Sequence, residues 1–261
     1  MRVAIAGKGG AGKTTISSTL ARLHARLGIP VVAIDADSNP NLAWALGIDP
    51  LLAAGATSLP SALVSRRPDG PRLTAPLEDV LAEHTIPAPD GVRLATMGMP
   101  DHADTGCLCA AHATVSAVLA DLGDRPEVTT IIDLEASPEH LSRGTARHAD
   151  VLVLVAEPYY RSLETVGRLA ALAAELPIPR VAVVANKLRS QGDADAVGEY
   201  CDRRELELLA EVPWSTEALD ADAARTPLLD AYPDAPVIDA IAGLAEQLAH
   251  AVQLGTTPGA H

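Results

Sequence analysis

The chain has 261 residues, 48 % of them apolar and 21 % charged, a globular balance that excludes a disordered chain. Its 20 basic and 34 acidic residues leave a net charge of −14, which argues against sequence-independent nucleic-acid binding because that needs a basic face. No apolar run approaches the roughly 20 residues of a membrane span, no leader pattern precedes the first strand, and three cysteines are too few for a disulfide framework, so a cytoplasmic, reduced protein without a membrane partner is expected.

Buried-run and period-2 signals place strands near 2–6, 31–36, 91–97, 129–134, 151–156, 180–185 and 208–212. Helical periodicity falls between most of them, near 13–27, 40–47, 110–121, 160–175, 193–205 and 236–253. Aromatic residues are 2 % and Phe is absent, so Ala, Val, Leu and Ile must fill the core, which suits strands buried on both faces. Strand alternating with helix predicts an α/β fold with a mostly parallel sheet and helices on both faces. One domain over 1–254 is expected, with 52–90 as an insertion of weak periodicity carrying a short helix near 77–83, and 255–261 as a frayed tail.

Residues 7–15 read Gly7-Lys8-Gly9-Gly10-Ala11-Gly12-Lys13-Thr14-Thr15, between an apolar strand and a helical pattern. That is the setting of a phosphate-binding loop, whose backbone N–H groups and helix N-terminus face an anion. On that reading the domain is a P-loop NTPase. Gly9, Gly10, Ala11 and Gly12 line the phosphates, Lys13 reaches the β and γ phosphates, Thr14 ligates Mg²⁺ and Thr15 touches the α phosphate. Ile131-Ile132-Asp133 is an apolar strand ending in Asp, a Walker B placement in which Asp133 holds Mg²⁺ through water. Asn186-Lys187 ends another strand, and an Asn there has the donor and acceptor to meet an adenine edge. Pro213 and Trp214 follow the next strand and are candidate walls for the base. Core packing is an equal claim on Trp214, and a turn is the alternative for Asn186.

The chain holds three lysines, Lys8, Lys13 and Lys187, and its other basic residues are all Arg. Two of the three stand in the phosphate loop. A second lysine at the loop's start resembles the deviant Walker ATPases, the family of the nitrogenase iron protein, the arsenite-pump ATPase and the septum-site protein. The resemblance implies a homodimer closed by ATP, with Lys8 reaching the partner's nucleotide. It also implies that Asp37, in Asp35-Ala36-Asp37-Ser38-Asn39-Pro40-Asn41, orients the attacking water and that Asn41 senses the nucleotide state. Asp35 reads as structural or as an indirect Mg²⁺ contact.

Gly106-Cys107-Leu108-Cys109 puts two thiols on one side if the chain is extended there. Two thiolates make half of a tetrahedral site, and a symmetric dimer supplies the other half. Four soft ligands suit Zn²⁺, Ni²⁺ or an iron–sulfur cluster, while two packed structural cysteines are the alternative. Asp133-Leu134-Glu135-Ala136-Ser137-Pro138-Glu139-His140 resembles the second switch of the carbon monoxide dehydrogenase maturation ATPases, the CooC type, which also carry Gly-Cys-x-Cys ahead of it. That resemblance covers nearly the whole chain. It implies a nickel-insertion accessory ATPase with Ni²⁺ or Zn²⁺ on Cys107 and Cys109 at the dimer interface, and a carbon monoxide dehydrogenase-like client. The chain departs from the pattern at Ser137-Pro138, where Gly is usual.

A reductive ATPase with an interfacial iron–sulfur cluster is the second reading, and a partition or septum-type positioning ATPase the third. The adjacent spacing of the cysteines disfavours the former. The absence of Lys or Arg after Arg225 disfavours a basic membrane-binding helix. Cys201 reads as a packed residue rather than a ligand. His102, His112 and His140 read as surface residues unless they support a site.

Overall fold

A computed structural model describes residues 1–67, 70–97, 109–142 and 145–255. Strands β1 (Arg2–Gly7), β2 (Val31–Ala36), β3 (Val64–Arg67), β4 (Gly70–Leu73), β5 (Ile86–Pro87), β6 (Arg93–Thr96), β7 (Thr129–Leu134), β8 (Val151–Ala156), β9 (Arg180–Leu188) and β10 (Glu207–Pro213) follow in chain order. The helices are α1 (Lys13–Arg26), α2 (Leu42–Leu46), α3 (Pro50–Ala54), α4 (Leu77–His84), α5 (Cys109–Leu122), α6 (Glu139–Ser142), α7 (Tyr160–Ala173), α8 (Gln191–Arg204), α9 (Thr216–Ala223), α10 (Leu228–Ala231) and α11 (Pro236–Gly255).

Eight strands form one sheet in the order β10-β9-β8-β1-β7-β2-β6-β5. Every pairing in it is parallel except β5 with β6, so each parallel connection must cross over a face of the sheet. Strands β1, β2, β7 and β8 are almost wholly buried, as their continuous Val-Ile-Ala-Leu runs require. Alternate residues feed two cores. Val3 and Ile5 pack with Ile16 and Leu20 of α1 and with Ile241 and Leu244 of α11. Ala4 and Ala6 pack with Val118 and Leu119 of α5 and Val166 of α7. The expected α/β architecture is therefore the observed one.

Several expectations change in detail. The helix expected over 40–47 shrinks to Leu42–Leu46, because Pro40 precedes it and Gly47, at φ 86°, caps it in the left-handed region. Between 52 and 90 the chain forms the antiparallel β3–β4 hairpin and α4. Helices α3, α6, α9 and α10 add to the expected set. Cys109 is the first residue of α5 and not part of an extended run, so the period-2 argument for its thiol does not hold. Cys107 lies outside the described residues, as does the tail beyond Gly255. Among the described residues no helix is long and apolar enough to cross a membrane.

Candidate functional site

Strand β1 delivers the loop to the carboxyl ends of the parallel strands, where α/β sheets bind ligands. Gly12 caps α1 with φ 99° and offers no side chain to the first N–H groups of the helix, and no acidic residue occupies the first turn. Those donors and the dipole behind them face outward for an anion. A Cβ on Gly12 would lie 2.3 Å from Asn186 Nδ2, so this position demands Gly for space as well as for conformation. Lys13 is buried within the loop.

Asn186 Nδ2 donates to the Ala11 carbonyl at 2.7 Å, and Lys187 Nζ donates to the Gly10 carbonyl. The pair that ends β9 thus clamps the phosphate loop, with Lys187 in the left-handed region at φ 62°. One Asn186 donor is spent on the loop, which leaves Oδ1 as an acceptor beside a small cavity of about 70 Å³. Thr15, Lys187, Pro213 and Trp214 line that cavity. Trp214 is half-buried there, and the Arg189 guanidinium stacks 4.0 Å above its ring.

The register of the sheet sets the acidic groups. Asp35 on β2 is paired with Asp133 on β7. Thr14 donates its hydroxyl to Asp133 Oδ2 at 2.6 Å, and Ser17 donates to Oδ1 at 3.2 Å. Burial, reinforced by nearby Asp35, pushes the Asp133 carboxyl up to about 7 despite these hydrogen bonds. A carboxylate buried in this way beside a Thr hydroxyl fits a divalent cation, whose charge favours the ionised form. Asp35 accepts from Leu42 N at 2.8 Å and Asp37 N at 3.2 Å, which folds residues 37–42 back toward the loop. Burial pushes Asp35 up to about 6. It is a structural carboxylate, one of its two expected roles. Asp37 is half-buried and accepts from Asn39 N at 2.8 Å. Asn41 is exposed and lines a larger cavity, about 570 Å³, together with Thr14, Thr15, Trp44, Asp222 and Arg225.

The family model of the CobQ/CobB/MinD/ParA nucleotide binding domain matches residues 3–228. The chain is 36 % identical over 241 residues to the carbon monoxide dehydrogenase accessory protein CooC of Rhodospirillum rubrum, covering 89 % of this chain and 91 % of that protein. The chain belongs to the CooC-type deviant Walker A ATPases. It is an ATPase of this family. An uncharacterised ATP-binding protein of Methanocaldococcus jannaschii is 31 % identical over 235 residues, 87 % of this chain and 91 % of its own. The MinD cell division protein of Aquifex aeolicus shares the fold with a TM-score of 0.72 at 19 % identity, over 96 % of this chain and 97 % of its own.

In this CooC-type ATPase the structure brings the loop residues, Asp133, Asn186 and Lys187 together, with Asn186 and Lys187 bonded to the loop's own carbonyls. The thiols are a different matter. Cys109 is bonded in a disulfide, so its sulfur is not a free ligand in this state. Among the described residues no group of three or more His, Cys, Asp or Glu side chains is placed to hold a metal ion. Cys201 is buried and burial pushes its thiol up to about 11, in keeping with a packed residue. His112 and His140 are buried, against the surface reading. His112 Nδ1 is hydrogen-bonded with the Thr145 hydroxyl at 3.0 Å, and its ring meets His140 edge-on at 4.4 Å. Helix α5 is thereby packed on the segment that follows Asp133. His102 lies outside the described residues.

Sequence reasoning also missed Glu157 and Tyr159. They follow β8 directly, where a parallel sheet places functional loops, and that position was the available signal.

Proposed function

We propose that this chain is a metal-trafficking maturation ATPase of the cytoplasm, delivering nickel to a carbon monoxide dehydrogenase-like client through a homodimer that ATP closes. What carries the reading is the second loop lysine, Lys8, in a chain 36 % identical to the accessory protein CooC over 89 % of its length. The net charge of −14 and a chain without Lys or Arg after Arg225 favour this over DNA-bound positioning or positioning by a basic membrane-binding helix.

Mg²⁺, when bound, offsets charge between the β and γ phosphates. Thr14 would hold it directly and Asp133 through water; the Thr14 hydroxyl is hydrogen-bonded to Asp133 at 2.6 Å. Gly9, Gly10, Ala11 and Gly12 wrap the phosphates, Lys13 meets the β and γ groups, and Thr15 meets the α group. Asn186, with its amide oxygen, and Lys187 and Pro213 border the base. Asp37 orients the attacking water. Lys8, supplied by the partner copy, stabilises charge that develops on the transferred phosphoryl group. Cys107 and Cys109 of two copies hold the cargo, Ni²⁺ or Zn²⁺, in a shared four-sulfur site.

The test is metal analysis with sizing under reducing conditions, wild type against Cys107→Ser/Cys109→Ser, with and without ATP and Mg²⁺. About half an equivalent of nickel or zinc per chain is expected, lost in the double variant. Iron with a visible chromophore points instead to a reductive ATPase. A monomer under every nucleotide condition removes the proposal.

A further inference from the structure

One carboxylate outside the phosphate site is tied to the phosphate loop at two places. Glu157 follows β8 and is buried. Its Oε2 accepts from the Tyr159 hydroxyl at 2.6 Å, and its Oε1 pairs with Lys187 Nζ at 3.2 Å. Ser162 Oγ accepts from the Glu157 backbone N–H at 2.9 Å, which fixes the turn into α7. Lys187 in turn holds the Gly10 carbonyl. Tyr159 extends to the other end of the same loop, where Lys8 Nζ lies 5.6 Å from the centre of its ring. The path from Gly10 through Lys187, Glu157 and Tyr159 to Lys8 closes on the loop where it began.

The Tyr159 ring is suited to this task. Its hydroxyl, held by the Glu157 carboxylate, keeps its proton far above neutral pH, so the ring face stays an electron-rich surface without becoming an anion. A lysine within about 6 Å of such a face is attracted by the ring quadrupole. The contact is made within one subunit, whereas the proposed function needs Lys8 on the neighbouring copy's phosphates.

We infer that Tyr159 is a positioning residue for Lys8. Anchored by Glu157, it parks the ammonium on its own subunit in the nucleotide-free chain, and Lys8 must leave this ring for two copies to close. The ring competes with the partner's triphosphate and so raises the nucleotide level at which dimers form. The inference rests on the reading that Lys8 acts across the interface. Lys187 gives the parking contact a link to the phosphate loop, since any displacement of Gly10 by an incoming triphosphate pulls on the ammonium that shares Glu157 with Tyr159.

The experiment is sedimentation of the full chain through a titration of Mg²⁺ with a non-hydrolysable ATP analogue, read as the analogue concentration that half-converts monomer to dimer. Tyr159→Leu removes the ring and is expected to lower that concentration roughly two- to fivefold, the scale of an exposed cation–π contact. Tyr159→Phe keeps the ring face and is expected to behave more like wild type. Glu157→Gln, which weakens the anchor at constant size, is expected to shift the midpoint in the same direction as Tyr159→Leu and carries the test if that variant fails to fold. A gain in dimerisation is not what simple destabilisation produces. A midpoint that stays put or rises in a folded Tyr159→Leu protein, or in Glu157→Gln where only that variant folds, overturns the inference. Lys8→Ala is the separate control: if it dimerises and hydrolyses ATP as wild type does, the trans role of Lys8 fails, and with it the reading on which the inference stands.

Discussion

Asp35 and Asp133 are paired across β2 and β7, yet only Asp133 was legible as chemistry. Downstream of a phosphate loop, an apolar strand that ends in Asp puts a carboxylate where the cation of a bound triphosphate lies. Asp35 sits on an equally apolar strand, and its role became visible only from the two backbone N–H groups it accepts. Its titration gives a measurable consequence. Burial raises its carboxyl from 3.8 to about 6, so the folded state holds the proton more tightly than the unfolded state does. The associated stability is complete below the unfolded value and drains away as pH climbs through the folded one, at about 1.4 kcal/mol for each pH unit that separates the two. Urea unfolding from pH 4.5 to 7 is therefore expected to show wild type losing about 2 kcal/mol relative to Asp35→Asn as pH rises. Curves that run parallel through this window contradict the assignment. Some residues were beyond reach of the sequence for the same kind of reason. Asn186 carries the amide expected at a base, but one donor turns to Ala11, and the burial of His112 and His140 depends on how α5 meets α6.

The strands of the main sheet were legible because parallel strands buried on both faces leave uninterrupted runs of Val, Ile, Leu and Ala. The hairpin was not. Pro71 within β4 weakens a strand reading, and β3 offers four residues with two arginines. Helix α10 is too short for periodicity to speak, at four residues, and α9 buries only Ala221 and so carries no apolar stripe. Besides burying Leu228 and Leu229, α10 is tied to α1 by an ion cluster that no local pattern encodes. Arg22 of α1, nearly buried, donates Nε to Asp90 at 2.6 Å and its terminal nitrogens to Asp230 of α10 at 2.6 and 2.7 Å. Arg26 adds contacts to both acids from one turn later. Truncating Arg22 leaves the two acids facing each other with a single partly exposed cation. Arg22→Ala is expected to cost about 3 kcal/mol in urea unfolding, and Arg22→Lys to recover only part, since an ammonium lacks the planar fork that binds Asp230 at two points while Nε holds Asp90. A loss within a few tenths of a kcal/mol of zero would mean that the cluster does not hold α10, nor the cavity-lining Arg225 and Thr226 just ahead of it.

At the scale of the whole molecule the dominant quantity is the charge of −14, which two copies must bring together to form the proposed dimer. Self-repulsion of that kind acts over long distances through solvent, and salt screens it beyond a Debye length of about 10 Å at 0.1 M. The attraction proposed to close that dimer is of another kind: Lys8 against a triphosphate at short range, in a site that closure would shield from water and ions. Screening weakens such buried contacts much less. The two contributions therefore respond unequally to ionic strength, and repulsion should fade first. Dimerisation with Mg²⁺ and a non-hydrolysable analogue is expected to strengthen several-fold as monovalent salt rises from about 20 to 150 mM, the range over which the Debye length falls from roughly 20 to 8 Å. Sedimentation equilibrium across that series reads it directly. An association constant that falls steadily with salt would mean that exposed, complementary charges on the two faces govern assembly, and the buried-lysine description of closure would have to be given up.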